Sequence, residues 1–385
     1  MMSTKNIKNF NPLLFLLSLG AGGIAVAPFA FLQYVFYEGP GLVTHSAIHM
    51  MIASNLQHVL FMSLEILMIL FATIHIIATV VLAKKLVLWL REKQHISYLQ
   101  NPLTNAGILA PFISLVMTMN VFIGPLRYFI PIISQNLQQL MLPALLFWSI
   151  IWIVLMKLDL RLLKISFEKP FDVNKISFGW LLHPFALGML SVTGMGIAAM
   201  SHMPTIAHVA AFMSVISASM AAFLLLVKLV AIFKSHFAQQ SLPEKQFLPS
   251  FLIVVPNITL LALSAFRFAH YVQHNFAFEL EGLMFFILLL AFAFETWYLL
   301  FGATLLKDYF KRHFFKKEFY ITQWGLVCPV VAYAVLGSFL FAYFVQSDVL
   351  FGAILVTIFL AVVLFFLLLI RQLRCVKGSR KVTCQ

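Results

Sequence analysis

Residues able to do chemistry are few in this chain, and most sit where water should be scarce. Glu65 and His75 fall in one long apolar run, His183 in another beside Pro184, and Glu295 in a third. An ionisable side chain inside an apolar span is expensive, so each is a functional candidate by default. Glu65, Glu295 and His183 could carry protons; a carboxylate paired to a neighbouring helix is the equal alternative. Arg127 and Arg267 stand near the ends of two further runs. A guanidinium at the mouth of a passage attracts anions and repels cations, whereas snorkelling to lipid headgroups would give it no such role. His45 and His49, four residues apart, could share one face of a helix. With no third ligand near them in the sequence they make a weak metal signal. The segment reads better as an interfacial amphipathic stretch, and no metal or cofactor is expected. There is no GxSxG, HExxH or P-loop motif. The 12 histidines are scattered rather than clustered as a di-metal oxidase would need. No enzymatic activity is expected.

The elements that must position these residues are membrane spans. Hydrophobic residues make up 62% of the 385 positions, charged ones 10%, and mean hydropathy is +0.98, which excludes an ordinary soluble domain. Ten segments are long enough to cross a bilayer: 12–36, 58–83, 104–128, 137–156, 178–202, 206–232, 248–272, 281–305, 322–346 and 348–370. Met1 to Phe10 is polar and basic and leads into a run of spanning length, so no cleavable signal is expected. Lysine and arginine give the orientation. Lys5, Lys8, the segments 84–93, 157–175, 228–245 and 307–317, and the tail 371–381 fall on one side and hold 24 of the 26 basic residues. Only Arg127 and Arg267 fall on the other, so both termini should be cytoplasmic. The net charge of +13 is then a topology signal, and nucleic acid is not an expected partner. Cys328 lies in a span; Cys375 and Cys384 lie in the tail, where disulfides are not expected.

A proline recurs inside each odd-numbered span, at Pro28, Pro111, Pro184, Pro256 and Pro329, at intervals of 83, 73, 72 and 73 residues. Such spacing is the mark of an internal repeat, one kinked span plus one return span. The odd spans hold 11 glycines and the even ones 3, so small, kinked helices should form an inner ring and the Leu-, Ile- and Phe-rich even helices an outer one. The expected fold is therefore all-α and polytopic: ten transmembrane helices as five helical hairpins around a central pore, in one domain over residues 1–385. A short N-terminus, 1–11, and the basic tail, 371–385, flank it. If the prolines mark one level of the pore, Phe29, Phe112, Phe185 and Asn257, which follow them, and His183 and Cys328, which precede them, are the pore and gate candidates. Arg127 and Arg267 are the candidates for drawing anions to the mouth.

The ten spans, the five kinked odd helices and the stretch WGLVCPVVAYAV around Trp324 and Cys328–Pro329 resemble the tellurite-resistance/dicarboxylate transporter family. That family takes in bacterial TehA-type proteins, plant guard-cell slow anion channels and fungal sulfite exporters. The resemblance implies a pseudo-fivefold barrel, in bacteria a homotrimer with one pore per subunit, gated by a phenylalanine of the ninth helix. Cys328 occupies the corresponding position here. The expectation that follows is a gated channel or transporter for small inorganic or carboxylate anions in a bacterial inner membrane, with lipid around it. A proton-coupled exporter of sulfite, dicarboxylate or an oxyanion is the second reading, and a non-conducting membrane sensor or scaffold the third.

Overall fold

The computed structural model describes residues 10–376, 383 and 384, apart from 241, 316 and 317. Lys5, Lys8 and residues 377–382 and 385 of the tail lie outside the described residues. Ten helices in the described chain are long and apolar enough to cross a membrane. They run over Pro12–Phe36, Asn55–Arg91, Asn105–Phe129, Leu137–Glu168, Phe178–Met200, Pro204–Gln239, Leu248–Phe276, Glu281–Leu305, Ile321–Tyr343 and Asp348–Cys375. The second, fourth and sixth extend well past the hydropathic segments. At 1.5 Å per residue, 37 residues make a rod of about 55 Å, against a hydrocarbon core of about 30 Å. Hydropathy stops at the first lysines, but nothing there breaks the helix. The breaks come later, where Lys93 (φ 57°) and Gln240 (φ 51°) take the left-handed conformation.

Two layers are plain from burial. The apolar windows of the odd spans are 61–100% buried, those of the even spans 28–33%. The odd spans touch in closed order, first to third to fifth to seventh to ninth and back to the first. The even spans pack on the outside of this ring. The second lies on the first, the sixth on the fifth, the eighth on the seventh and ninth, and the tenth on the ninth and first. The fourth packs on the fifth as well as on the third, so there the strict hairpin pairing is blurred. Glycine makes the close approach possible in the first span. The Cβ positions of Gly20 and Gly23 would lie 3.2 and 3.1 Å from side-chain carbons of Val327 and Val331 on the ninth. A buried polar clasp joins the first three spans, with His75 Nδ1 2.7 Å from the Ser18 carbonyl and Nε2 2.9 Å from Thr118 Oγ1.

The prolines do less bending than expected. Every inner span opens with a 3-10 stretch, the longest being Leu248–Ile253 and Ile321–Leu326, before its α-helix begins. Pro111, Pro184, Pro256 and Pro329 fall at the second or third residue of the α-helices starting at Ala110, Leu182, Val254 and Val327. In the first turn a missing N–H costs nothing, because no carbonyl awaits it. Pro28 is different: it lies in the interior of the helix Phe15–Phe31, at its fourteenth residue. That displaces it by 11 positions, roughly 16 Å, from its supposed counterparts. The five prolines therefore do not mark one level, and the outlying interval of 83 residues was the sign of it.

The tail holds a further correction. Cys375 is disulfide-bonded. A short parallel ladder pairs Glu318 with Thr383 and Phe319 with Cys384, returning the tail to the last long loop.

Candidate functional site

The inner ring encloses a cavity of about 760 Å³ to which all five odd spans contribute. A second cavity of about 370 Å³ lies toward the side of the chain termini, bordered by Asn11, Tyr98, Gln246 and Tyr320 among others. Two residues border both spaces, Phe185 and Cys328. Phe185 follows Pro184 in the first turn of its helix, where the 3-10 stretch Phe178–Leu181 gives way to α. Its ring is 3% exposed. Cys328 also lies in the first turn of its helix on the ninth span, but before the proline rather than after it, and is a free thiol. A phenyl ring between two cavities is a dry obstacle to an ion, whose desolvation costs many kcal/mol.

The larger cavity opens on the side opposite the termini, and its basic groups gather there. Arg267, His270 and His274 all border it, at helical spacings of three and four, so one face of the seventh span carries them inward. His202 borders it from the end of the fifth. Arg267 is fixed rather than loose: Nη1 donates to the Val192 carbonyl at 2.7 Å, and the guanidinium carbon lies 6.0 Å from the centroid of Phe339. Tyr34, Phe266 and Tyr343 complete an aromatic cluster with Phe339 beside it. Deeper in, Asn120 Nδ2 donates to Thr193 Oγ1 at 3.0 Å, and both border the cavity. Glu38, on the loop after the first span, is the acidic residue at the rim. The smaller cavity has no Lys, Arg, His, Asp or Glu among its described lining residues.

Several expected pore residues lie elsewhere. Arg127 is 2% exposed and does not border the cavity. Its Nη2 donates to the Val43 carbonyl and its Nε to the Ile123 carbonyl at 3.0 Å, so it holds the loop after the first span. The π-helical turn Phe122–Leu126 just before it carries an extra residue per turn and rotates it off the inner face. Phe29 borders the larger cavity well away from Phe185, beside Tyr128, and Phe112 borders neither space. Asn257 is buried and donates to the carbonyls of Ile253 and Leu181, tying the seventh span to the entry of the fifth. His183 faces outward from the ring: Nδ1 meets Asp159 Oδ1 of the fourth span at 2.8 Å, and neither residue is more than 1% exposed. Lys228 of the sixth span is the third charge in that group, held over Trp180 with Nζ 5.1 Å from the ring centroid. Glu295 is fully buried and accepts from Thr259 Oγ1, whose residue does border the cavity. Glu65 lies with His45, His49 and Tyr128 at the loop face.

His202, His270, His274, Asp159 and Lys228 were missed in the sequence. The 267–270–274 spacing was legible there. The Asp159–His183–Lys228 group was not, since three different spans supply it.

Among curated proteins none matches the chain. The family model described as voltage-dependent anion channel, SLAC1, matches residues 9–373, from before the first span into the last. The chain belongs to the voltage-dependent anion channel family.

Proposed function

We propose that the chain passes small inorganic or carboxylate anions along the axis of the inner ring, with Phe185 as the closed gate. One observation carries this reading: among the described residues Phe185 and Cys328 are the two that border both cavities, and the larger cavity alone is lined by Arg and His. Arg267 concentrates anions at the wide end. Asn120, whose amide has a second N–H beyond the one near Thr193, offers a neutral donor along the way, able to replace water around an anion without trapping it. At the narrow point Phe185 keeps water out until it turns aside. Cys328, small beside the phenylalanine of the relatives the sequence resembles, leaves the obstruction to the fifth span. Flux of chloride, nitrate and a dicarboxylate into proteoliposomes tests the reading, and absence of any anion flux from the wild type and from Phe185→Ala together would overturn it.

Proton-coupled export is the second reading, and Glu295 favours it because Thr259, which donates to that carboxyl, borders the cavity. Uptake that follows an imposed proton gradient and is lost in Glu295→Gln would select it. The basic-residue asymmetry supports an inner-membrane orientation with both termini in the cytoplasm. The trimeric assembly of bacterial relatives is the proposed oligomer. Cross-linking of the detergent-solubilised protein tests the assembly.

A further inference from the structure

Outside the pore, at the end of the second span opposite the termini, His45, His49 and Glu65 converge. The two histidines occupy the first and last positions of a five-residue helix, His45–His49, capped by Thr44, whose hydroxyl accepts from the Ala47 N–H at 3.3 Å. Four residues apart, their rings fall on one face, with centroids 4.3 Å apart. Glu65 comes up from the second span: His45 Nδ1 lies 2.8 Å from Oε1, and His49 Nε2 lies 3.1 Å from Oε1 and 3.2 Å from Oε2. One ligand atom from each residue can be chosen such that all lie within 4.8 Å of one another. The carboxylate is 6% exposed while the imidazoles are 50% and 25% exposed, so the site has a fixed floor and an open top. The Tyr128 hydroxyl donates to Glu65 Oε1, the outer partner that orients a metal-binding carboxylate.

We propose that His45, His49 and Glu65 bind a divalent transition metal of borderline softness, zinc foremost, with the fourth position open to water. Two imidazole nitrogens and one carboxylate oxygen make the ligand set such ions take, at about 2.0–2.2 Å from the metal. Magnesium and calcium, which require mostly oxygen, would gain little from it. To bind, His45 must present the Nδ1 lone pair and keep its proton on Nε2, and His49 must do the reverse. The shared hydrogens that now hold the rings to Glu65 give way to bonds to the ion. The expectation of a pair lacking a third ligand fails because Glu65, 16 residues beyond His49, is brought back by the turn at Ser54 that caps the second span.

The site would act on the mouth. Its helix belongs to the loop in which Val43 is held by Gln33 Oε1 at 2.6 Å and by Arg127, and from which Glu38, Gly39, Gly41 and Leu42 reach the rim of the larger cavity. A metal would pin that loop to the second span.

The test uses the full-length protein in detergent with any polyhistidine tag removed, titrated with zinc chloride by calorimetry. Wild type should bind one zinc per chain and melt at a higher temperature with zinc than without. Combining His45→Ala with His49→Ala should weaken binding at least about 100-fold, and Tyr128→Phe about 10-fold. Calcium and magnesium at the same concentration should give neither heat nor a melting shift. Zinc binding of the wild type that survives the double substitution, or its absence altogether, would overturn the assignment. Where a double variant does not fold, the single substitution His45→Asn, at the half-exposed position, gives the same reading. The measurement is independent of conduction, so its failure leaves the pore reading untouched.

Discussion

The two cavities inside the ring are built to different rules. On the far side from the termini the cavity is wide and carries Arg267, His202, His270 and His274, with Glu38 at its rim. On the terminal side it is half the size and its described lining has no ionisable Lys, Arg, His, Asp or Glu. Yet the terminal side of the protein as a whole is the basic one, with long even helices carrying Lys84, Lys157 and Lys234 away from the axis. Lys84, Lys157 and Lys234 are exposed on the outer helices, off the axis, whereas Lys228 of the sixth span is buried over Trp180. Arg267, on an inner helix, borders a confined space in which a guanidinium acts more strongly on a nearby ion than in open water, while Arg127, also on an inner helix, does not reach it. Position, and not number, sets these basic residues apart.

The largest expected effect comes from joining the two ends. Phe185→Ala should connect the cavities and raise basal anion flux at least about 10-fold, alongside a lowered melting temperature, since truncating a buried Phe costs about 3–5 kcal/mol. Destabilisation with unchanged flux would mean that the two cavities do not form one path. Next in size is the loss of the charge difference. Arg267→Glu should cut anion flux about 5- to 10-fold at low salt and much less near 1 M, where screening shortens to about 3 Å. A salt-independent loss would point to misfolding instead, because the bond to the Val192 carbonyl is lost as well.

A third variant separates the pore wall from what stands behind it. Asp159→Ala strips the partner from His183 and Lys228, and breaking a buried charge group from one side costs about 3–5 kcal/mol. A clear drop in melting temperature with unaltered anion preference is expected; altered preference would bring the buried charges into the pathway. The smallest effect should come from Phe112→Ala. Its ring borders neither cavity, so flux should stay within about twofold of wild type, in contrast to Phe185. Equal effects from the two would sink the placement of the junction at one ring.

Much of this was legible in the chain itself. Ten spans, an inner set of small-residue helices and an outer set of large apolar ones follow from hydropathy and glycine placement. Both are local properties that the bilayer reads span by span. The Pro-Phe pair singled out Phe185 but could not place it, because Phe112 follows a proline in the same way and borders neither cavity. Other features turn on rotation about a helix axis or on contact between distant spans. Arg127 and Arg267 look alike in sequence, each basic and each near the end of an odd helix. A π-turn sends the first to a loop carbonyl, and an α-helix without one leaves the second facing the cavity. His183 looked like a pore residue because it stands two positions before Phe185, but residues two apart on an α-helix point about 200° apart, and Asp159 and Lys228 wait on its other side. His45 and His49 looked isolated in sequence, and only the packing of the second span brings Glu65 to them. Sequence settles what each span is, because the membrane tests every span alone. Which face a span turns inward, and which distant residue it meets, is decided only when ten helices pack at once.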